Sequence, residues 1–431
     1  MSGFWLRLVY TALFYLLTPL ILARLYWRGR KLPAYRQRWA ERLGYYKTPA
    51  VSGGALWFHA VSVGEAEAAF PLIRRMRARF PELPCVVTTT TPTGSRRVTQ
   101  VLGETVLHVY LPYDMPDCVQ RFLIHFQPRL AVVMETEIWP NLYRACRRAE
   151  IPLVIVNARV SERSARGYAR LGALTREALA DVRCIAAQTE ADRLRFVALG
   201  ARSDETLATG NIKFDIELPP EAAAQSTTLR ANCFGALRPV WLAASTHDGE
   251  EAQVLDAFKR IRADHPDLVL IIAPRHPERF DAVAELCRAA GWKLVRRTDG
   301  ETAFEADVFL LDTLGELKQF YGASDIAFVG GSLVPVGGHN VMEPAAVALP
   351  VLVGPHLHNF KAAADALLTA GGALLVHDAM DLAAACNGLL NDQEYRKHMG
   401  MQALAFVKAG QGALLRVEAL LSGLLDAVVD Y

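Results

Sequence analysis

The chain has 431 residues, 52% of them hydrophobic and 21% charged, with a formal net charge of +2. That length accommodates two or three domains, and the near-balanced charge exerts no global pull on nucleic acid. Cys85, Cys118, Cys146, Cys184, Cys233, Cys287 and Cys386 are scattered with no C-x-x-C pair, which argues against a disulfide framework or structural zinc and suits a reducing compartment.

The first element is an apolar stretch from Phe4 to Trp27. About 20 apolar residues suffice to cross a bilayer. Arg7 and Arg24 are placed to snorkel near its ends, and Trp5, Tyr26 and Trp27 fit interfacial belts. Arg28, Arg30, Lys31, Arg36, Arg38 and Arg42 follow. By the positive-inside rule the rest of the chain then faces the cytoplasm, and the basic flank attracts anionic headgroups. A signal peptide would need small residues where these basic ones stand. A membrane anchor is expected, with a full span favoured over a helix lying in the interface.

Past the anchor, strand-like and helix-like segments alternate. Ala55 to Ala60 is a short apolar run followed by a helical pattern from Gly64 to Arg79. Cys85 to Thr88, Val106 to Tyr110, Leu130 to Met134, Leu153 to Val156 and Cys184 to Ala187 continue the strand series. The pattern breaks at Pro219-Pro220-Glu221. It restarts at Pro239 to Ala244, then Leu268 to Ala273, Val308 to Leu311, Ile326 to Val329 and Val351 to Val353. Gln402 to Tyr431 reads as one or two amphipathic helices. Such alternation predicts parallel sheets with helices on both faces. The expected organisation is an anchor (1–30), a first Rossmann-like domain (31–220), a second (221–405) and C-terminal helices (406–431) packing back on the first. Two doubly wound α/β domains with a cleft between them are expected, and ligands of such sheets sit at the C-terminal strand ends.

The polar loops fall at those ends. In His59-Ala60-Val61-Ser62-Val63-Gly64-Glu65 a strand ends and Glu65 opens a helix, placed to deprotonate a hydroxyl. The helix dipole equally favours an acidic residue there, and predicts a lowered pKa. Met134-Glu135-Thr136-Glu137-Ile138-Trp139-Pro140-Asn141 sets two carboxylates after a buried strand, with Arg159 and Arg163 as candidate cation partners. Paired carboxylates suggest glycoside hydrolysis, but nearby cations point instead to an acidic ligand. Lys213, in Gly210-Asn211-Ile212-Lys213-Phe214-Asp215, is either a solvated charge or a group that stabilises a departing phosphate.

The second half repeats the arrangement with other residues. Ser245-Thr246-His247-Asp248-Gly249-Glu250 is a strand-to-helix turn, and Pro274-Arg275-His276-Pro277-Glu278-Arg279 follows a buried strand. Arginine grips phosphate through a bidentate fork. Asp312-Thr313-Leu314-Gly315-Glu316 and Gly354-Pro355-His356-Leu357-His358 are further turns. Gly330-Gly331 follows the strand at Ile326, and Gly337-Gly338-His339-Asn340-Val341-Met342-Glu343-Pro344 leads into a helix from near Asn340. Strand, glycine loop and helix N-terminus present backbone N–H groups to a phosphate, and a Glu one turn in accepts from sugar hydroxyls. Together they suggest a nucleotide-activated donor. His339, His356 and His358 lack a carboxylate at metal-ligand spacing, so no metal site is expected. Neither a G-x-x-x-x-G-K-[ST] P-loop nor a G-x-S-x-G elbow occurs.

In order and spacing, H-A-V-S-V-G-E, M-E-T-E-I-W-P-N, N-A-R-V-S-E-R-S, G-N-I-K-F-D, A-S-T-H-x-G-E-E, P-R-H-P-E-R-F and G-G-H-N-x-x-E-P resemble the 3-deoxy-D-manno-octulosonic acid (Kdo) transferases of lipopolysaccharide assembly. The resemblance covers nearly the whole chain. It implies the GT-B glycosyltransferase fold, CMP-Kdo as donor, a lipid A precursor as acceptor, inversion at the anomeric carbon, and no cofactor besides the donor. By motif it implies Glu65 as general base, and Glu135 and Lys213 as transition-state stabilisers. Pro274, Arg275, Leu314, Gly315, Glu316, Asn340, Val341, Met342 and Glu343 would bind CMP; Val341 and Met342 depart mildly from the family pattern. Arg275, Lys213 and the helix start at Asn340 would supply positive potential for a doubly anionic donor. The implied location is the inner membrane, with the catalytic domains on the cytoplasmic side. The competing readings are a GT-B transferase or epimerase using a UDP-sugar, and a non-catalytic anionic-lipid binding protein.

Overall fold

The computed structural model describes residues 3–30, 32–215, 221–300 and 302–429. Lys31 of the basic flank, Pro219 and Pro220 of the expected break, and Asp430 and Tyr431 lie outside the described residues. The chain divides into two compact units, Met1–Lys213 with Gly412–Tyr431, and Phe214–Gln411.

In the first unit, β1 (Ala55–His59), β2 (Cys85–Thr89), β3 (Leu107–Tyr110), β4 (Pro128–Met134), β5 (Leu153–Ala158), β6 (Cys184–Ala187) and β7 (Thr206–Ala208) form one sheet. Its order is β3-β2-β1-β4-β5-β6-β7, and every pairing is parallel. Strands such as Ala55–His59 and Cys85–Thr89 are buried at every position, as sheets covered on both faces require. The helix Ala413–Val429 belongs to this unit. It drives Leu414, Val417, Leu421 and Leu425 into the core formed with Phe70 and Ile73, and Glu418 pairs with Arg75.

The second unit carries β8 (Val240–Thr246), β9 (Val269–Pro274), β10 (Leu294–Arg296), β11 (Val308–Leu310), β12 (Ile326–Val329), β13 (Val351–Val353) and β14 (Ala373–Leu375). Their order is β10-β11-β9-β8-β12-β13-β14, again wholly parallel. In both sheets the strand order reverses beside the opening strand, between β1 and β4 and between β8 and β12. Such a reversal splays the connecting loops apart and opens a crevice at the C-terminal strand ends.

The apolar N-terminal stretch forms one helix, Gly3–Arg28, long and apolar enough by length and composition to cross a membrane. It is docked on the first unit through one face. Arg7 does not snorkel; it is buried, with Nη1 2.9 Å from Glu177 Oε1. Thr11 bonds Asn141 at 3.1 Å, Tyr15 donates to Asp117, and Phe14 packs near Tyr113.

Candidate functional site

At the first sheet's reversal, the loop after β1 carries Ser62, the N-cap of the helix Val63–Arg79. Glu65 N donates to Ser62 Oγ at 3.4 Å, Ser62 Oγ donates to Glu65 Oε1 at 3.0 Å, and Val61 N donates to Glu65 Oε2 at 2.8 Å. This reciprocal cap fixes the carboxylate in one orientation. A helix N-terminus by itself holds a carboxyl pKa down; that of Glu65 is instead raised. Burial is the largest cause, and the Glu135 charge adds to it against the lowering by the Val61 and Ser62 bonds and Lys213. Desolvation outweighs the helix end here.

The loop after β4 brings the second carboxylate. Glu135 adopts a left-handed φ of 56°, a conformation that costs a non-glycine residue of order 1 kcal/mol or more. The kink leaves its carboxylate buried between two cations: Lys213 Nζ lies 2.8 Å from Oε1, and Arg159 Nε 2.8 Å from Oε2. Arg159 is thus the partner that the spacing suggested. Lys213 is neither a solvated charge nor a free one. Glu137, half-buried, is pushed up to about 7 by burial and then by the Glu65 charge.

Asn157 supports this site without having been singled out by the sequence. It sits in β5 at φ 52°, fully buried. Its Oδ1 accepts from Ile212 N at 3.0 Å, and Asn211 Oδ1 accepts from Lys213 N at 3.0 Å. These two amides set the short turn Ile212–Phe214 that aims Lys213 at Glu135.

At the reversal in the second unit, Glu250 opens the helix Glu250–Ile261 and has no solvent exposure. Its carboxylate accepts from four backbone N–H groups: His247 at 3.0 Å, Gly331 at 2.7 Å, Ser332 at 2.9 Å and Leu333 at 2.9 Å. Glu250 thereby ties the loop after β8 to the glycine loop after β12. Gly330 must be glycine, since a Cβ there would lie 2.5 Å from Ser245 O.

Three histidines meet beside this tie. His247 Nε2 and His339 Nε2 are 2.7 Å apart with nearly coplanar rings, and the His276 ring centroid is 5.2 Å from that of His247. Burial lowers the His247 pKa and takes that of His339 to about 4, and the Arg275 charge adds to both. Arg275 is exposed at the end of β9, with its N–H on Thr246 O at 3.0 Å. Among the described residues its guanidinium has no ion-pair partner within 4.0 Å. Sequence spacing hid this cluster, because its members lie on three loops distant along the chain.

The remaining candidates divide. Asn340 Oδ1 accepts from Met342 N at 3.0 Å, and Glu343 is half-buried with its pKa raised by burial. The expected helix from Asn340 is only Met342–Ala346, five residues, too short for a developed dipole; Glu343 stands in its first turn, not one turn in. Val341 and Met342 bury their side chains in the core and can offer a ligand only backbone. Pro274 ends β9, buried. Glu316 is held by Arg297 at 2.8 Å, which keeps its pKa low, while Leu314 is exposed and Gly315 takes φ 92°. His356 and His358 belong to no metal-ligating group among the described residues.

Two doubly wound parallel sheets of this order, with polar loops at both reversals, define a GT-B α/β protein. The UDP-GlcNAc 2-epimerase from Neisseria meningitidis bound to UDP-GlcNAc has the same fold, at TM-score 0.52 and 16% identity over 86% of this chain and 100% of that one. Residues 37–216 match the family described as 3-Deoxy-D-manno-octulosonic-acid transferase (kdotransferase). The chain is 41% identical to the 3-deoxy-D-manno-octulosonic acid transferase of Haemophilus influenzae, over 97% of its own length and 99% of the relative's. The C-terminal CMP-Kdo binding domain of WaaA from Acinetobacter baumannii is 34% identical, covering 43% of this chain and 97% of that domain, at TM-score 0.42. The chain belongs to the 3-deoxy-D-manno-octulosonic acid transferase family.

Proposed function

We propose that this glycosyltransferase of lipopolysaccharide biosynthesis moves Kdo from CMP-Kdo to a lipid A precursor at the cytoplasmic face of the inner membrane. Family membership supports Kdo transfer. The observation that carries the catalytic assignment is the oriented, partly desolvated Glu65 carboxylate beside the Glu135 and Lys213 pair. Glu65 takes the proton of the acceptor hydroxyl, and its raised pKa improves it as a base. The acceptor oxygen bonds the anomeric carbon as the bond from that carbon to the phosphate oxygen breaks, and the electron pair leaves on CMP. Glu135 and Lys213 act together: the carboxylate orients the ammonium, which faces the charge that develops during transfer.

Arg275 with His247, His276 and His339 is the anion-binding face assigned to the donor phosphate and carboxylate. Asn340, Glu343, the Leu314 to Glu316 turn and the backbone of Val341 and Met342 are assigned to the rest of CMP. No cofactor besides the donor is assigned.

Glu65 also caps a helix, so its two roles need separating. Glu65→Gln keeps an acceptor for Val61 N and removes the base. With CMP-Kdo and a tetraacylated lipid A precursor, products read by mass, wild type gains Kdo and the variant slows by about 10²- to 10⁴-fold with an unchanged thermal midpoint. Equal rates would remove Glu65 as base. Wild type that is folded but inert with CMP-Kdo, and active with a UDP-sugar, would overturn the donor.

A further inference from the structure

We propose that the helix Gly3–Arg28 does not cross the bilayer but lies in the plane of one leaflet, docked on the first unit, with its outward face in lipid hydrocarbon. The inference rests on the membrane attachment proposed above. The helix rises about 1.5 Å per residue, so its 26 residues are long enough to span; length alone does not decide. The docked face does. Arg7, Tyr10, Thr11, Phe14 and Thr18 recur at helical spacing and are among the less exposed positions. Arg7 pairs with Glu177, Thr11 with Asn141, and Thr18 Oγ1 contacts Met115 Sδ at 3.5 Å.

A perpendicular span would demand one of two things. The helices Pro116–Phe126, Pro140–Arg148 and Ala173–Ala180 would enter hydrocarbon carrying Arg144, Arg147 and Arg148, at several kcal/mol for unpaired backbone and charge. Otherwise the helix would undock, leaving Arg7 and Glu177 without each other and two threonines facing lipid. Lying flat costs neither. The outward positions Trp5, Leu8, Val9, Leu13, Leu16, Leu17 and Leu20 are all exposed and apolar, a surface that hydrocarbon accepts and water does not. At the helix end Arg28 stacks on Tyr35, Arg30 on Trp27 and Arg36 on Tyr26. That girdle of aromatic rings and cations suits anionic headgroups.

The test uses the full chain as Thr11→Cys with Asn141→Cys in inner-membrane vesicles, oxidised mildly; all seven native cysteines are buried and give little background. Docking predicts an intramolecular disulfide in most chains, seen as a mobility shift reversed by reductant. Absence of the cross-link in vesicles whose chains still transfer Kdo overturns the proposal. An otherwise unmutated chain with an N-terminal tag gives a measurement independent of these substitutions. Protease added outside intact spheroplasts should spare the tag and digest it only after the membrane is opened; digestion from outside overturns the in-plane helix. Active protein found wholly in the soluble fraction would overturn the attachment itself, and leave the transferase assignment standing.

Discussion

The two units place opposite chemistry at the same point of the same topology. Where strand order reverses in the first sheet, Glu65, Glu135 and Glu137 gather, and Glu135 holds Lys213 and Arg159. Where it reverses in the second, three imidazoles and Arg275 gather, and Glu250 is consumed by backbone N–H groups. Burial nevertheless acts on both in one direction, toward the uncharged form: the Glu65 and Glu137 carboxyls rise, and the His247 and His339 imidazoles fall. The strands decide where the loops meet, and the loops decide which charge is held there.

The largest expected effect breaks the second region. Glu250→Ala strips an acceptor from four backbone donors, and each buried orphan costs about 1–3 kcal/mol. A fall in stability of several kcal/mol is expected in urea unfolding, with Glu250→Gln intermediate because one carbonyl oxygen remains. An unchanged midpoint for the alanine variant would mean that Glu250 does not organise the loops.

Next is the cation of the first region. Lys213→Ala leaves the buried Glu135 with Arg159 alone, and transfer should fall by about 10²-fold or more. Lys213→Arg restores charge but not the compact ammonium, so it should recover only part of the rate. Full activity in the alanine variant would make Lys213 a structural partner of Glu135 and nothing more. On the other side, His339→Gln should weaken CMP binding roughly tenfold, the size of one charge-assisted hydrogen bond. Cytidine, which lacks the phosphate, should bind both proteins equally. Equal loss for the two ligands would place His339 away from the phosphate.

Much of the first region was legible because its signals are local. A strand followed by Ser62-Val63-Gly64-Glu65 announces a helix start with Glu65 in its first turn, and carboxylates after Met134 demand cations, one of which Arg159 supplies. What escaped was set by tertiary contact. Asn157 matters because its kink in β5 meets the Ile212 N–H, and Glu250 because its donors arrive from residues 331–333. As text, Glu250 is one more acid at a helix start. The strands Thr206–Ala208, Leu294–Arg296 and Ala373–Leu375 escaped for another reason: each is three residues long with exposed or half-exposed positions, so no apolar run marks it. Arg7 departs from the snorkelling expectation because that expectation assumes lipid on every side, whereas Glu177 waits on one.

The smallest effect separates the regions by the sign of their pH dependence. Glu137 rises on folding from 4.5 to about 7, so between those values the folded chain holds more proton than the unfolded one. Its contribution is present below about pH 4.5 and is lost as pH rises toward 7. His339 falls from 6.5 to about 4, so over that range the unfolded chain holds more proton. Its contribution is present above about pH 6.5 and is lost as pH falls. The Glu137 shift bounds its term at about 3 kcal/mol, reduced by solvent screening at a half-buried carboxyl. Urea midpoints of wild type and Glu137→Gln between pH 5 and 8 should therefore converge at the acid end and part at the alkaline end, the glutamine variant being the less pH-sensitive. His339→Gln should show the mirror pattern, parting from wild type toward acid. Parallel curves for Glu137→Gln would mean that its carboxyl titrates as it does in the unfolded chain, and that the crowding of three carboxylates in the first unit is relieved by solvent.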